Sequence, residues 1–412
     1  MPQTIRSIQP EELTDWFAAF GTAFYIWGQD PAALAAARHD TIEIDRVVGA
    51  FEDDVIVGTF RTFGTKLTLP GGARIPVNAV SGVSVRPTHR RRGTLSRMIQ
   101  DDFARAVARG DAASILIASE WPIYGRFGYG PATWHARWTL RVRAARLQVQ
   151  PYGSIEVVDA LAARRVIVDL WRRIAEARPG EIDRPEHRWD FDFGILEYPG
   201  RPRWNGQILL HRDPAGELDG WARFHGEEAW EEGIPDNVLE LDELHGVTFE
   251  AEVDLWRHLS QMDLTATIKA PTRREREPMT WFLSDGRAAR MTGPADFLWL
   301  RLLDVERVLA ERTYDRDGAI VIEVTDVVGG SPGPAAGRYR LEARNGAASC
   351  ARTAEGPDVT VDARSLGAAS LGGTRLIDAT RTSGPVEHRA GALRELDRLL
   401  SAADEPWCTT WF

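Results

Sequence analysis

The chemistry-bearing part of this sequence begins at Val83-Ser84-Val85-Arg86-Pro87-Thr88-His89-Arg90-Arg91-Arg92-Gly93-Thr94-Leu95. A β-branched strand runs through a basic, glycine-containing turn into an apolar stripe at Leu95, Met98, Ile99, Phe103, Ala106 and Val107, which stops at Gly110. That order makes an anion site. The first amides of a helix have no partner within the helix, its dipole places about half a positive charge at that end, and Gly93 allows close backbone approach. Arg90, Arg91 and Arg92 add forked donors suited to phosphate oxygens. A solvated basic turn has the same arginine and glycine content, so residue types alone leave both readings open.

A second candidate lies downstream, where Ser119-Glu120-Trp121-Pro122-Ile123-Tyr124 leads into Gly125-Arg126-Phe127-Gly128-Tyr129-Gly130. On residue types alone, both tyrosines read as aromatics that fill an irregular loop. Other signals fail on mechanism. Gly329-Gly330-Ser331-Pro332-Gly333 fits the serine-hydrolase elbow, but Pro332 lacks the amide that the oxyanion hole needs. The nine histidines form no metal-binding helical pair, so no metal is expected. The glycines of residues 125–130 stand in the wrong order for a dinucleotide fingerprint.

The elements that must position these residues follow from periodicity. An amphipathic helix is expected at Leu13, Trp16, Phe17, Phe20 and Phe24, then strands at 44–51, 55–63, 65–69 and 79–85, then the helix after Gly93 and a strand at 115–118. Strand, basic turn, helix and strand form one βαβ unit. Beyond Pro151 the order partly repeats, with strands at 155–158, 207–210, 221–224, 238–244 and 264–268 and helices at 163–177 and 251–259. In this copy Leu244-His245-Gly246-Val247-Thr248-Phe249 replaces the basic turn. From about Gly293 a Leu-rich helix is expected at 297–312, then strands at 319–324 and 337–343 and a last helix at 390–402. Three units result, at 1–150, 151–290 and 291–412. The sequence ends Trp407-Cys408-Thr409-Thr410-Trp411-Phe412, and so apolar a tail is expected to be docked.

Composition narrows the partners. With 50 Lys and Arg against 60 Asp and Glu, the net charge of −10 argues against nucleic acid. Eleven of the acids fall between Phe224 and Trp256, where no Lys or Arg occurs. Most of them read as a solvated face; the functional alternative is a negative potential that draws a polycationic amine. Two cysteines, no secretory leader and no apolar run near the ~20 residues that span a bilayer predict a soluble, cytoplasmic chain that makes no membrane contact.

The first run resembles the acetyl-CoA motif of the GNAT N-acetyltransferases, Arg/Gln-x-x-Gly-x-Gly/Ala, departing only at Leu95. The second, through Pro131-Ala132-Thr133, is similar to the I-Y-G-R-F-G-Y-G-P-A-T segment of the enhanced intracellular survival (Eis) acetyltransferases. The resemblance implies an α/β and α+β architecture: an active N-terminal GNAT unit, a degenerate central GNAT-like unit and a sterol-carrier-like α+β domain whose C-terminus docks in the active site. It implies acetyl-CoA along Val83, Ser84 and Val85, its phosphates on Arg91, Arg92, Gly93, Thr94, Leu95 and Ser96, and Ser119 and Glu120 near the thioester. It further implies Tyr124 as general acid, the Phe412 carboxylate as base, and a homohexamer. Acetyl transfer needs an unprotonated amine, an oxyanion donor and a proton for a departing thiolate, and these groups can supply them, with an amide near Val83 as the oxyanion donor. The implied acceptor is a primary amine of an aminoglycoside-like small molecule or of a lysine side chain. The rival reading is a CoA-sensing or lipid-carrying protein without turnover.

Overall fold

The computed structural model describes residues 3–26 and 28–412. The first unit opens with β1 (Thr4–Ser7), α1 (Leu13–Ala23) and α2 (Pro31–Arg38), then the meander β2 (Val47–Glu52), β3 (Val55–Thr68) and β4 (Arg74–Val85). Here α1 buries Leu13, Trp16 and Phe17 of the expected stripe, and Ala19 with them, whereas Phe20 is half-buried and Phe24 lies exposed past the helix end. The strands expected at 55–63 and 65–69 are one continuous β3, because its register against β4 runs from Gly58 to Thr68 with a single bulge. The 16-residue α3 (Thr94–Arg109) follows, starting at a left-handed Gly93 and stopping at a left-handed Gly110.

After α3 the chain forms β5 (Ala113–Ile117), the short α4 (Trp121–Tyr124) and β6 (Gly130–Pro131). Strand β7 (Trp134–Arg141) then leaves for a second sheet, well before residue 150. That sheet also takes β8 (Ser154–Val158), β9 (Gln207–Arg212) and β10 (Leu218–Glu227), packed by α5 (Ala160–Ala177), with α6 (Glu186–Asp192) alongside. A hairpin of β11 (Trp230–Glu231) and β12 (Ile234–Pro235) leads to β13 (Asn237–Gly246), α7 (Phe249–Leu259), β14 (Thr265–Arg273) and β15 (Ala289–Asp296). Strands β13 and β14 pair in parallel across α7, as β4 and β5 do across α3. The second unit therefore repeats the strand, helix, strand core of the first, with sheet order β15-β7-β14-β13-β10-β9-β8.

The expected Leu-rich helix at 297–312 is not continuous. It divides into β16 (Leu298–Leu302) and α8 (Val305–Glu311). All five residues of β16 are buried, and the strand lies between β5 and β6 in the first sheet, giving the order β1-β2-β3-β4-β5-β16-β6. Leucine favours helix in isolation, but a strand buried on both faces also reads as a continuous apolar run, and tertiary pairing decided the outcome. Gly130 shows how close the neighbouring packing is, since a Cβ there would stand 2.2 Å from the Arg364 carbonyl oxygen.

The third unit continues with β17 (Gly318–Thr325), which pairs antiparallel with Gly337–Arg344 and in parallel with Val359–Asp362. Its α9 (Ala363–Ala369) packs on β16 and β6, and its last helix runs Ala392–Leu400. One hydrophobic core joins Leu67, Val77 and Ile115 of the first sheet to Leu300 and to Leu341, Leu366 and Leu396 of the third unit. No helix among the described residues is long and apolar enough to cross a membrane.

Candidate active site

Strands β4 and β5 are in register only over residues 77–80 against 113–116; beyond Val80 they part. β4 continues along β3 through a bulge at Gly82 and Val83, after which Ser84 and Val85 pair with Thr59 and Gly58. Gly82 has φ +60°, and a Cβ there would stand 2.8 Å from the Trp16 ring, so the bulge needs glycine on both counts. Thr59 Oγ1 donates to the Gly82 carbonyl at 2.8 Å and lies 2.6 Å from Ser84 Oγ, which fixes the bulge from behind.

The basic turn leads straight into α3. Arg91 holds a left-handed φ of 64°, a costly conformation for a residue with a side chain. Arg90 Nε donates to the Val85 carbonyl at 3.2 Å and Arg92 Nη2 to the Thr88 carbonyl at 3.0 Å. Arg91, Arg92 and Gly93 are exposed, and the amides of Thr94, Leu95 and Ser96 find no acceptor among the described residues. Leu95, the departure from the family pattern, tucks against the apolar layer under α3 and leaves the turn open. Orphan amides, a left-handed entry and exposed arginines together fit a pyrophosphate.

Ser119 and Glu120 stand exposed past the end of β5, just before α4. Tyr124, 6 % exposed, closes α4, and its hydroxyl makes no hydrogen bond to a described residue. Burial, aided by the Glu120 charge, pushes its pKa up to about 12. Tyr129 packs edge-on against it at 6.2 Å but is buried with its hydroxyl 2.7 Å from Ser114 Oγ. That engagement leaves Tyr129 a structural part.

The parted strands open beside a cavity of about 990 Å³, walled by Trp16 and Phe20 of α1, Arg61 and Phe63 of β3, Ser81 and Gly82 of β4, residues 182–201 of the second unit, and Thr410, Trp411 and Phe412. Phe412 meets Phe63 edge to face at 5.4 Å. Thus the end of the sequence and the bulge beside Val83 share one cavity, whereas Tyr124, Ser119, Glu120 and residues 91–96 lie outside its lining. None of the eleven clustered acids lines it either. Glu243 pairs with Arg184, Glu252 with Arg273 and Arg274, and Asp254 with Arg257 and His211, while Glu227, Glu228, Glu231 and Glu232 are exposed. The acidic stretch is therefore part internal pairing and part solvated face, and it lines no part of this cavity.

Sequence reading missed what holds the tail. Glu181, fully buried between the second and third units, accepts from the Thr409 amide and hydroxyl, both at 2.9 Å, and from the Thr410 amide at 3.3 Å. Trp407 donates its amide to the Pro179 carbonyl at 2.8 Å, and its ring lies under the guanidinium groups of Arg178, Arg273 and Arg274. Nothing in the Pro179-Gly180-Glu181 sequence signals such a clamp, because its partners lie 228 and 229 residues away.

Known proteins share this arrangement. Residues 4–132 and 180–302 each match a family model described as an acetyltransferase (GNAT) domain, and 305–409 match a sterol carrier protein domain. An uncharacterized N-acetyltransferase of Streptomyces griseus is 36 % identical over all of both chains. The N-acetyltransferase Eis of Mycobacterium tuberculosis is 32 % identical over 87 % of this chain and 86 % of its own length. The crystal structure of Eis1 from Mycobacterium abscessus superposes with a TM-score of 0.84 at 29 % identity, covering 99 % of this chain and all of that one. With two GNAT units, a sterol-carrier-like third unit and these relatives, the chain belongs to the Eis family of GNAT N-acetyltransferases.

Proposed function

We propose that this N-acetyltransferase moves the acetyl group of acetyl-CoA to a primary amine held in the 990 Å³ cavity, with Tyr124 as acid and the Phe412 carboxylate as base. Acetyl-CoA supplies the acetyl group on a thiolate leaving group. Residues 91–96 would hold its pyrophosphate, and Val83, Ser84 and Val85 would run along its pantetheine arm. Burial keeps the Tyr124 hydroxyl protonated far above neutral pH, so it stands loaded to give its proton to the departing sulfur. The Phe412 carboxylate takes the proton that the amine releases as the new C–N bond forms, and an amide near Val83 donates to the carbonyl oxygen.

The observation that supports this reading is that Phe412 lines the same cavity as Ser81 and Gly82, just past the point where β4 and β5 part. Acceptor candidates from the sequence are an aminoglycoside-like amine and a lysine side chain. A homohexamer and a cytoplasmic location remain part of the proposal. Thiol release from acetyl-CoA across an amine panel tests it. Tyr124→Phe should lower kcat by roughly 100-fold or more, the usual scale for a lost general acid, with the KM for acetyl-CoA little changed. A tag extending the chain beyond Phe412 should cut kcat while the melting temperature holds. Equal losses in kcat and acetyl-CoA affinity for Tyr124→Phe, or a fully active extended chain, would remove the corresponding role.

A further inference from the structure

The charges lining the acceptor cavity are unevenly compensated. Most of its acids are already engaged: Glu43 pairs with Arg46 at 2.7 Å, Asp183 with Arg74 at 2.7 Å, and Asp190 and Glu186 with Arg164, while the exposed Asp40 lies 2.9 Å from His39 Nδ1. Among its arginines, Arg188 pairs with Asp192 at 2.8 Å. Arg38 and Arg61 are different. Both are half-buried, and neither guanidinium makes an ion pair or hydrogen bond to a described residue. Each is held only by an aromatic face, Arg38 over Tyr198 at 4.4 Å and Arg61 over Phe63 at 5.6 Å.

Both guanidinium groups therefore line the cavity without a carboxylate partner among the described residues, and two like charges on one cavity repel. Burial first, then the neighbouring Arg38, lowers the pKa of Arg61 to about 10, with Tyr198 and Glu43 opposing, and Arg61 stays charged at neutral pH. Exposed Arg201 adds a third positive charge to the same lining, also without an ion pair among the described residues. No ion pair joins any of them to Phe412. An incoming carboxylate would give Arg38 and Arg61 the partner they lack among the described residues.

We propose that this cavity takes an amine that also carries a carboxylate, with Arg38 and Arg61 as the specificity-determining residues that hold the acid while the amine faces Phe412. The carboxylate accepts from the guanidinium donors, and Trp16 and Phe20, stacked 5.7 Å apart, give an apolar wall for the body between the two groups. This inference rests on the proposed acetyl-transfer site for its orientation, but the acid preference can be measured as binding alone.

The experiment uses the full chain with CoA present and a set of amino acids, each matched with its neutral amide, including 4-(aminomethyl)benzoate and 4-(aminomethyl)benzamide. Calorimetric Kd values give the acid-over-amide preference, and thiol release with acetyl-CoA gives the same preference in kcat/KM. The expected result is an acid preference of at least about tenfold in one or more pairs, the scale of a charged hydrogen-bonded contact, and a comparable drop in that ratio for Arg61→Gln and for Arg38→Gln. Melting temperatures of the two variants check that they fold. Acid preference in binding without turnover would uphold this inference and remove the acetyl-transfer geometry. No acid preference in any pair, a ratio unmoved in both folded variants, or stronger binding of spermidine than of every acid would overturn it.

Discussion

Tyr124 and Tyr129 sit on one glycine-rich turn, and the contacts of their hydroxyls separate their roles. Ser114 occupies the second, while the first has no described partner and stays protonated by burial. Asp102 shows the same physics acting on stability. It lies inside α3, accepts from Asn78 Nδ2 at 2.8 Å, and burial raises its pKa from 3.8 to about 7, with Arg109 opposing. For an acid whose folded pKa exceeds its unfolded one, the native state binds the extra proton between these two values. Stability from this group is therefore greatest below about pH 4, falls as pH rises towards 7, and is flat above. Asp102→Asn should flatten that slope and raise stability at pH 8 by a few kcal/mol at most, about the size that the shift allows. Urea unfolding at pH 5 and pH 8 checks it; an unchanged difference between the two pH values would mean that Asp102 is already ionised across this range.

At the scale of elements, the tail after the last helix acts as a strap whose anchor is Glu181. One buried carboxylate gathers three donors from Thr409 and Thr410 and lies 3.7 Å from Arg178 Nη1. Glu181→Ala leaves those donors without their acceptor, at a cost of roughly 1–3 kcal/mol per stranded buried group. The expected result is faster hydrogen exchange at the Thr409 and Thr410 amides and a fall in kcat exceeding any change in the KM for acetyl-CoA. Because Phe412 lies only two residues past this anchor, unchanged exchange would show that the core contacts of Trp407 and Cys408 hold the tail unaided. The basic turn behaves differently as an element, since α3 starts on its own local signals, Gly93 and the stripe that follows.

Across the whole molecule, β16 couples units that the sequence lays out one after another. Arg301 on this strand is fully buried, donates to the Phe127 carbonyl before β6 and pairs at 2.7 Å with Asp326, just beyond β17. Removing one partner of such a pair leaves an uncompensated buried charge, worth about 3–5 kcal/mol. Arg301→Met should therefore lower the melting temperature by several degrees as one shifted transition, because the first and third units share a core. Calorimetry that resolves two transitions and moves only one would show that the units unfold separately.

Much of this was legible in the residues. The strand, basic turn and helix at residues 83–109, the weaker second copy and the apolar tail are short-range patterns, set by periodicity, capping and composition, and α3, α7 and Trp407 appear where those patterns put them. The candidate residues of the turn and of the Tyr124 loop come from motif spacing, which is local in the same way. Sequence alone could not separate a buried strand at residues 298–302 from a helix, since both read as one apolar run. Nor could it find Glu181, or the unpaired state of Arg38 and Arg61. A carboxylate becomes an anchor, and an arginine stays unpaired, only through partners brought in from far along the chain or absent among the described residues. The sequence by itself determined the strand, basic turn and helix and the family of the chain; the tertiary structure alone decided which charges are paired within the protein, because those pairs join residues far apart in the chain.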